Sequence, residues 1–372
     1  MFRFHDVPAG CPAAAGLHAG SLDAAKYDIE WQWRHLTNCF PQSGLSTPRF
    51  LKGGTTRLSR ALFIDSRRRM PLSACTSLLE PYLALQSGQL ESRQYVGQLP
   101  QHHRRIAAEL VSTAASISAA QRCGYQFFAD RHDLNVLIKN CWVKPWDGKG
   151  PDLLMSGPKG TAFLEIKGST RPNNLNLGSF ASHKAQSVNA ELRPFGSRVP
   201  TRHLLSVVFA PPCQGLSVHW FNAEERHGTD FPPQTQAILL IATGLAQFVG
   251  QVRNAGYDAS DLLKGEFPLP VVARRGHGFL LAPEPDGDSL IGVSYAALRL
   301  FVDISRLLLR LRARGAGFER DQGHRAIRLA KRLTHLRSVF GTRDSARPQL
   351  GPRPIYTYST GIFVLGPRHR FG

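Results

Sequence analysis

Apolar positions at helical spacing mark one stretch of the chain before anything else. Over residues 104–122 (RRIAAELVSTAASISAAQR), Ile106, Leu110, Ala114, Ile117 and Ala120 recur at three- and four-residue intervals, and Gly124 follows as a stop. The pattern then shortens. YQFFA and NVLIKNCWVKPW read as strands. GPDLLMSG and GTAFLEIKG are two apolar runs around a polar turn of Gly157, Pro158, Lys159 and Gly160, which predicts a hairpin. A looser stretch, STRPNNLNLGS, leads to a predicted helix, SHKAQSVNAEL. HLLSVVFAP and LSVHWF add two strands, and a helix over 235–254 ends at Gly256. Helix, strand, hairpin, helix, strand, strand, helix is a mixed α/β order and not a strict parallel alternation.

The flanks are less regular. Residues 1–24 are rich in Gly, Ala and Pro and predict a loosely ordered start. RALFIDSRRR reads as a strand running into a basic turn, and SLLEPYLALQSGQL as a short helix broken at Pro81. Residues 264–289, rich in Gly and Pro, form the best boundary after the core. Beyond them YAALRLFVDISRLLLRLRARG and HRAIRLAKRLTHLRSVFG are both amphipathic; Ile327, Ala330, Leu333 and Leu336 line one side of the second. The expected organisation is an N-terminal region at 1–100, an α/β core with a mixed central sheet flanked by helices at 101–256, and a basic, mainly helical region at 257–372.

Charge then narrows the partners. The 372 residues carry 46 Lys+Arg against 27 Asp+Glu, a net charge of +19. Such an excess attracts polyanions, nucleic acid first and an anionic membrane second. From Leu300 onward there are fifteen Lys/Arg and four Asp/Glu, so more than half the net charge sits in the last fifth of the chain. There Arg325, Arg328, Lys331 and Arg332 fall away from the apolar stripe, placed to touch phosphates more than bases. The scarcity of Trp and Phe on the apolar sides of these helices favours packing against a core over lying on a membrane. The most apolar stretch, 237–249, is interrupted by Thr243 and Gln247 and falls short of the ~20 residues of a membrane span. No apolar leader follows the first basic residue, and the six cysteines show no CxxC pair, so a cytoplasmic, reducing setting is expected.

The chemistry concentrates in the hairpin. Pro151-Asp152 is followed by twelve residues and then Glu165-Ile166-Lys167, with Ala162-Phe163-Leu164 in front. In a hairpin Asp152 comes opposite Glu165, and strand alternation puts Glu165 and Lys167 on one side. Two carboxylates with one ammonium suit a hard divalent ion, normally Mg²⁺, beside a cation that orients or helps deprotonate an attacking water. The bland alternative is a solvated charge pair on an exposed strand.

GPDLLMSGPKGTAFLEIKGS resembles the signature of the PD-(D/E)xK, or restriction-endonuclease-like, nuclease superfamily, closely over the hairpin and loosely over some 120 residues in element order. The resemblance implies a mixed central sheet flanked by helices and Mg²⁺-dependent (or Mn²⁺-dependent) cleavage of DNA phosphodiester bonds, with RNA not excluded as substrate. It makes Asp152, Glu165 and the Ile166 carbonyl metal ligands, and Lys167 the catalytic lysine. A helical carboxylate is expected before the hairpin, for which Glu109 is the first candidate and Glu80 the competitor. Lys184 and Gln186 of SHKAQ are candidates from the following helix for contacts near the nucleic acid. A nuclease making paired cuts is expected to form a homodimer. The rival reading is a nucleic-acid-binding protein, or a component of a DNA-processing assembly, in which the hairpin is structural.

Other features carry less. His102-His103 beside Arg104-Arg105 reads as a solvated patch, and Gly53-Gly54 lacks the order of a phosphate-cradling P-loop. Arg67-Arg68-Arg69 is explained equally by a phosphate contact and a solvated turn. Cys213 has no adjacent base to activate it.

Overall fold

The structure is a computed structural model that describes residues 2–4, 49–50, 64–65, 78–86, 89–123, 125, 127–130, 151–157, 160–171, 201–226, 271–274, 277–283, 289–295, 299, 302–303, 356–357 and 363–367. In chain order the elements begin with strands β1 (Phe2–Phe4), β2 (Arg49–Phe50), β3 (Ile64–Asp65), β4 (Leu83–Gln86) and β5 (Gln89–Ser92), then helix α1 (Gln101–Arg122). Next come β6 (Phe127–Asp130), β7 (Leu153–Gly157), β8 (Gly160–Ser169), β9 (Thr201–Phe209) and β10 (Ser217–Arg226). Strands β11 (Val271–Arg274), β12 (His277–Pro283), β13 (Ser289–Ser294), β14 (Tyr356–Thr357) and β15 (Phe363–Pro367) complete the series. The chain groups into two compact units, each assembled from separate stretches: Met1–Ser43, Ala74–Arg131 and Trp142–Phe231 in the first, Gly44–Ser73, His132–Cys141 and Pro232–Gly372 in the second. The segment 1–100 is thus divided between the two.

The first unit is built on a six-stranded mixed sheet in the order β1-β10-β9-β8-β7-β6. The hairpin expected around 157–160 is present: β7 and β8 run antiparallel, and Gly157 faces Gly160 across a two-residue connection of Pro158 and Lys159. β8 and β9 run parallel in unbroken register from Ala162↔Arg202 to Ser169↔Phe209. β10 returns antiparallel to β9, and β1 adds a parallel edge, with Phe4 opposite Trp220. Central strands of such a sheet are buried on both faces and read as continuous apolar runs. Leu153, Leu154, Met155, Ala162, Phe163 and Leu164 are all buried for that reason.

Helix α1 covers one face of this sheet; Ala114, Ile117 and Ala120 of the expected apolar stripe are buried, and the stripe is corrected at its N-terminal end. Ile106 is 46% exposed, whereas Ala107, Ala108, Val111, Ser112 and every residue from Ala114 to Ala120 are buried. Small side chains carry the contact because the helix lies close to the strands. At Gly168 an added Cβ would fall on the carbonyl oxygen of Ala108 and 2.8 Å from the Ser112 Cβ. A buried hydrogen bond of 2.7 Å joins the Ser116 and Ser206 hydroxyls, tying the helix to β9.

Residues 78–92 give a second correction. The helix expected over SLLEPYLALQSGQL is a turn followed by the hairpin β4–β5, in which Leu85 faces Leu90 and Gln86 faces Gln89. Pro81 favours the turn, Ser87-Gly88 has the composition of a two-residue hairpin loop, and Leu83, Leu90 and Ser92 are buried. The guanidinium Nε of Arg93 donates to the carbonyls of Glu80 and Leu83 and closes the turn. The first residues also contribute more than a loose start, since Phe2–Phe4 pair with β10.

The second unit holds a five-stranded antiparallel sheet, β11-β12-β13-β15-β14, and the two-stranded pair β2–β3. Three of those strands occupy or border the Gly/Pro-rich stretch read as a boundary. Their apolar runs are short, FLLA directly after Gly278 and LIGV interrupted by Gly292, so neither shows a clear alternation. The helices expected at 235–254 and after 324 lie outside the described residues. Of the helix expected from Tyr295, residues 295, 299 and 302–303 are described and helical. Among the described residues, no helix is long and apolar enough to cross a membrane.

Candidate functional site

The hairpin places its charged residues by register. Leu153 pairs with Leu164, so Asp152, one residue before β7, stands opposite Glu165. The Asp152 Oδ2 accepts the Ile166 backbone N–H at 2.8 Å, which holds the exposed carboxylate against the ExK segment. A carboxylate accepting a backbone N–H is a short, charge-assisted bond, and it fixes the approach of Asp152 to β8.

Glu165 and Lys167 share a side of β8, as alternation requires. The Lys167 ammonium meets Glu165 Oε1 at 2.5 Å; the Glu165 side chain is 1% exposed and that of Lys167 33%. This side is not the one α1 covers. Gly168 touches the helix backbone, and Ser206, the register partner of Ile166, bonds Ser116 of the helix. Residues 166 and 168 therefore face α1, and 165 and 167 face the other way.

At the C-terminal end of β8 a cleft of about 540 Å³ opens between the strand and the first turns of α1. Asp152, Ile166 and Lys167 line it from the hairpin, Glu109 from the helix, and Arg104, Arg105 and Arg171 surround them. The structure therefore brings Asp152, Lys167 and Glu109 to one opening, while Glu165 lies beneath Lys167 and outside the lining. Glu80, the other candidate for a helical carboxylate, is in the turn before β4 and is likewise absent from the lining. Lys184, Gln186, Arg325, Arg328, Lys331 and Arg332 lie outside the described residues.

The donors at the hairpin, two carboxylates in facing positions and the backbone of Ile166, are hard oxygens of the kind Mg²⁺ takes. Among the described residues, no group of three His, Cys, Asp or Glu side chains stands close enough to hold a metal ion. Glu109 thus does not complete a three-carboxylate cage with Asp152 and Glu165. A hydrated ion with two protein carboxylates remains compatible with this donor set, because Mg²⁺ keeps several waters.

The gathering of Arg104, Arg105 and Arg171 in one cleft was hidden in the sequence because Arg171 comes from a part of the chain distant from α1. Gln101, Arg104, Arg105, Ala108, Glu109 and Ser112 fall on one helical face, a spacing visible beforehand. Arg171 joins them through the turn after β8, where its backbone N–H donates to Ser169 Oγ at 3.1 Å. Outside the cleft, two buried histidines also went unread. His203 lies against the Phe163 ring, and His219 meets Phe209 edge-on. Both sit within apolar strands, and both are core residues. No family model, no curated protein and no solved structure matches the chain.

Proposed function

We propose that the chain is a Mg²⁺-dependent deoxyribonuclease with a restriction-endonuclease-like core, hydrolysing phosphodiester bonds at the hairpin. The observation that carries this reading is the bond from Ile166 N–H to Asp152 Oδ2, which fixes a carboxylate beside the ExK segment at the edge of the cleft. Asp152 and Glu165, with the Ile166 carbonyl, would hold the ion, and a bound Mg²⁺ (or Mn²⁺) supplies a polarised phosphoryl oxygen and an acidified water. Lys167 places a positive charge where negative charge grows on the phosphate. Glu109, across the cleft, stands on the substrate side rather than among the ion's ligands. The basic C-terminal segment adds affinity that does not depend on sequence.

One observation favours a second reading, a nucleic-acid-binding protein that does not cut. Glu165 is almost fully buried and already neutralised by Lys167, so the pair serves equally as a structural ion pair. Plasmid cleavage in Mg²⁺ or Mn²⁺ separates the two. Wild type should nick or linearise the plasmid, Asp152→Ala and Lys167→Ala should lose at least a hundredfold in rate, and Glu80→Ala should cut normally. Cutting that survives both hairpin substitutions would sink the catalytic assignment. Tight, salt-sensitive binding by a wild-type protein that never cuts establishes the second reading.

A further inference from the structure

We infer that Arg104, Arg105 and Arg171 form a phosphate-binding rim on the cleft, which takes the backbone of a nucleic-acid strand and holds it at Asp152. The inference rests on the nucleic-acid part of the reading above for its ligand, and not on cleavage.

Among the described residues, three guanidinium groups, from α1 and the turn after β8, line one opening against two carboxylates, Glu109 and Asp152. Like charges gathered this way repel unless an anion lies between them. Among the described residues, none of the three guanidiniums is held in an ion pair, although Glu109 shares the helical face of Arg104 and Arg105. With respect to the described residues, each keeps its planar fork of N–H donors open, the geometry that matches phosphate oxygens two at a time. Their placement follows from local structure. Arg104 and Arg105 sit on the first turns of α1, which carry no acidic residue. Arg171 is brought back by the turn that Ser169 caps. Close packing of α1 at Gly168 then keeps the two sides of the cleft at a fixed separation.

The cleft volume, about 540 Å³, lies in the range of roughly 300–1,000 Å³ typical of ligand-holding pockets, and it is open along one side. That suits a strand passing through better than a small enclosed anion. Phosphates repeated along a backbone also match the whole-chain charge of +19. An acidic polypeptide is the competing polyanion, but its flexible carboxylates offer no regular row of tetrahedral anions to a set of guanidinium forks.

The test is fluorescence anisotropy with a labelled 20-nucleotide single strand and a 20-base-pair duplex, in EDTA so that nothing is cut. Arg105→Ala and Arg171→Ala, both exposed positions, should each weaken binding about 5–8-fold at 0.1 M salt and lower the salt slope by about 0.7 for the single strand or 0.9 for the duplex. Arg105→Lys should restore the slope and only part of the affinity. His102→Gln, on the same helix but outside the cleft, should change neither. An unchanged slope in both alanine variants overturns the rim, as does equal competition by poly-glutamate at matched charge. Because metal is absent, a failure of cleavage by the wild type cannot produce either result. Altered slopes in a protein that never cuts support the rim and count only against the nuclease.

Discussion

Gly168 stands where the α1 backbone crosses the end of β8, and a Cβ there meets the Ala108 carbonyl before any side chain. A backbone atom cannot swing aside, so the helix or the strand must shift. Gly168→Ala is expected to destabilise the protein by about 1–3 kcal/mol, the usual cost of overpacking, read as a lower urea midpoint. It should also widen the cleft and weaken nucleic-acid binding; an unchanged midpoint would show that the close approach is not maintained in solution. At this scale the sequence showed the Asp152–Glu165–Lys167 neighbourhood well, because register and alternation are fixed once the hairpin is recognised. It could not show that Glu165 turns away from the helix while Glu109 faces the cleft. Which face a helix covers is a tertiary fact, absent from the spacing of either element.

Helix α1 illustrates a different limit. Its existence, its C-terminal end and the burial of Ala114, Ile117 and Ala120 were legible, but Ile106 is exposed and Ala and Ser fill much of the buried face beside Val111 and Ile117. Small residues are selected here by the distance between backbones, with polar ones admitted where they find a partner. The Ser116–Ser206 bond is such a case. Ser116→Ala should cost about 1–3 kcal/mol because the buried Ser206 hydroxyl loses its partner. The double variant Ser116→Ala/Ser206→Ala should cost less than the sum of the two single changes, measured as a double-mutant cycle by chemical denaturation. Strict additivity would mean that the hydroxyls do not bond in solution. The β4–β5 hairpin was misread for a related reason: a Pro-interrupted run with Leu83, Leu85 and Leu90 satisfies a helical pattern loosely and a strand pattern through its turn residues.

For the whole molecule, the excess positive charge was plain in the sequence. The partition of the chain was not, because long-range pairing leaves no local mark. The first unit draws on Met1–Ser43 and Ala74–Arg131 as well as Trp142–Phe231. A fragment spanning 101–256 lacks the buried Leu79, Leu83 and Leu90 and the β5 edge that Gly215 and Pro212 bridge. It should melt less cooperatively and at lower temperature than the full chain, as followed by circular dichroism; an equally sharp and equally high transition would show that the earlier segments add nothing.

The parallel pairing of β1 with β10 also sets a timetable. Phe4 and Trp220 are separated by more than two hundred residues, so a ribosome adding ~5–20 residues per second delivers them about 10–40 s apart. Throughout that interval β1 exists without its neighbour, and the sheet can close at that edge only after Trp220 has been made. Slow, late closure of this kind exposes nascent chains to misassociation, which places a demand for chaperone protection on β1 during that interval.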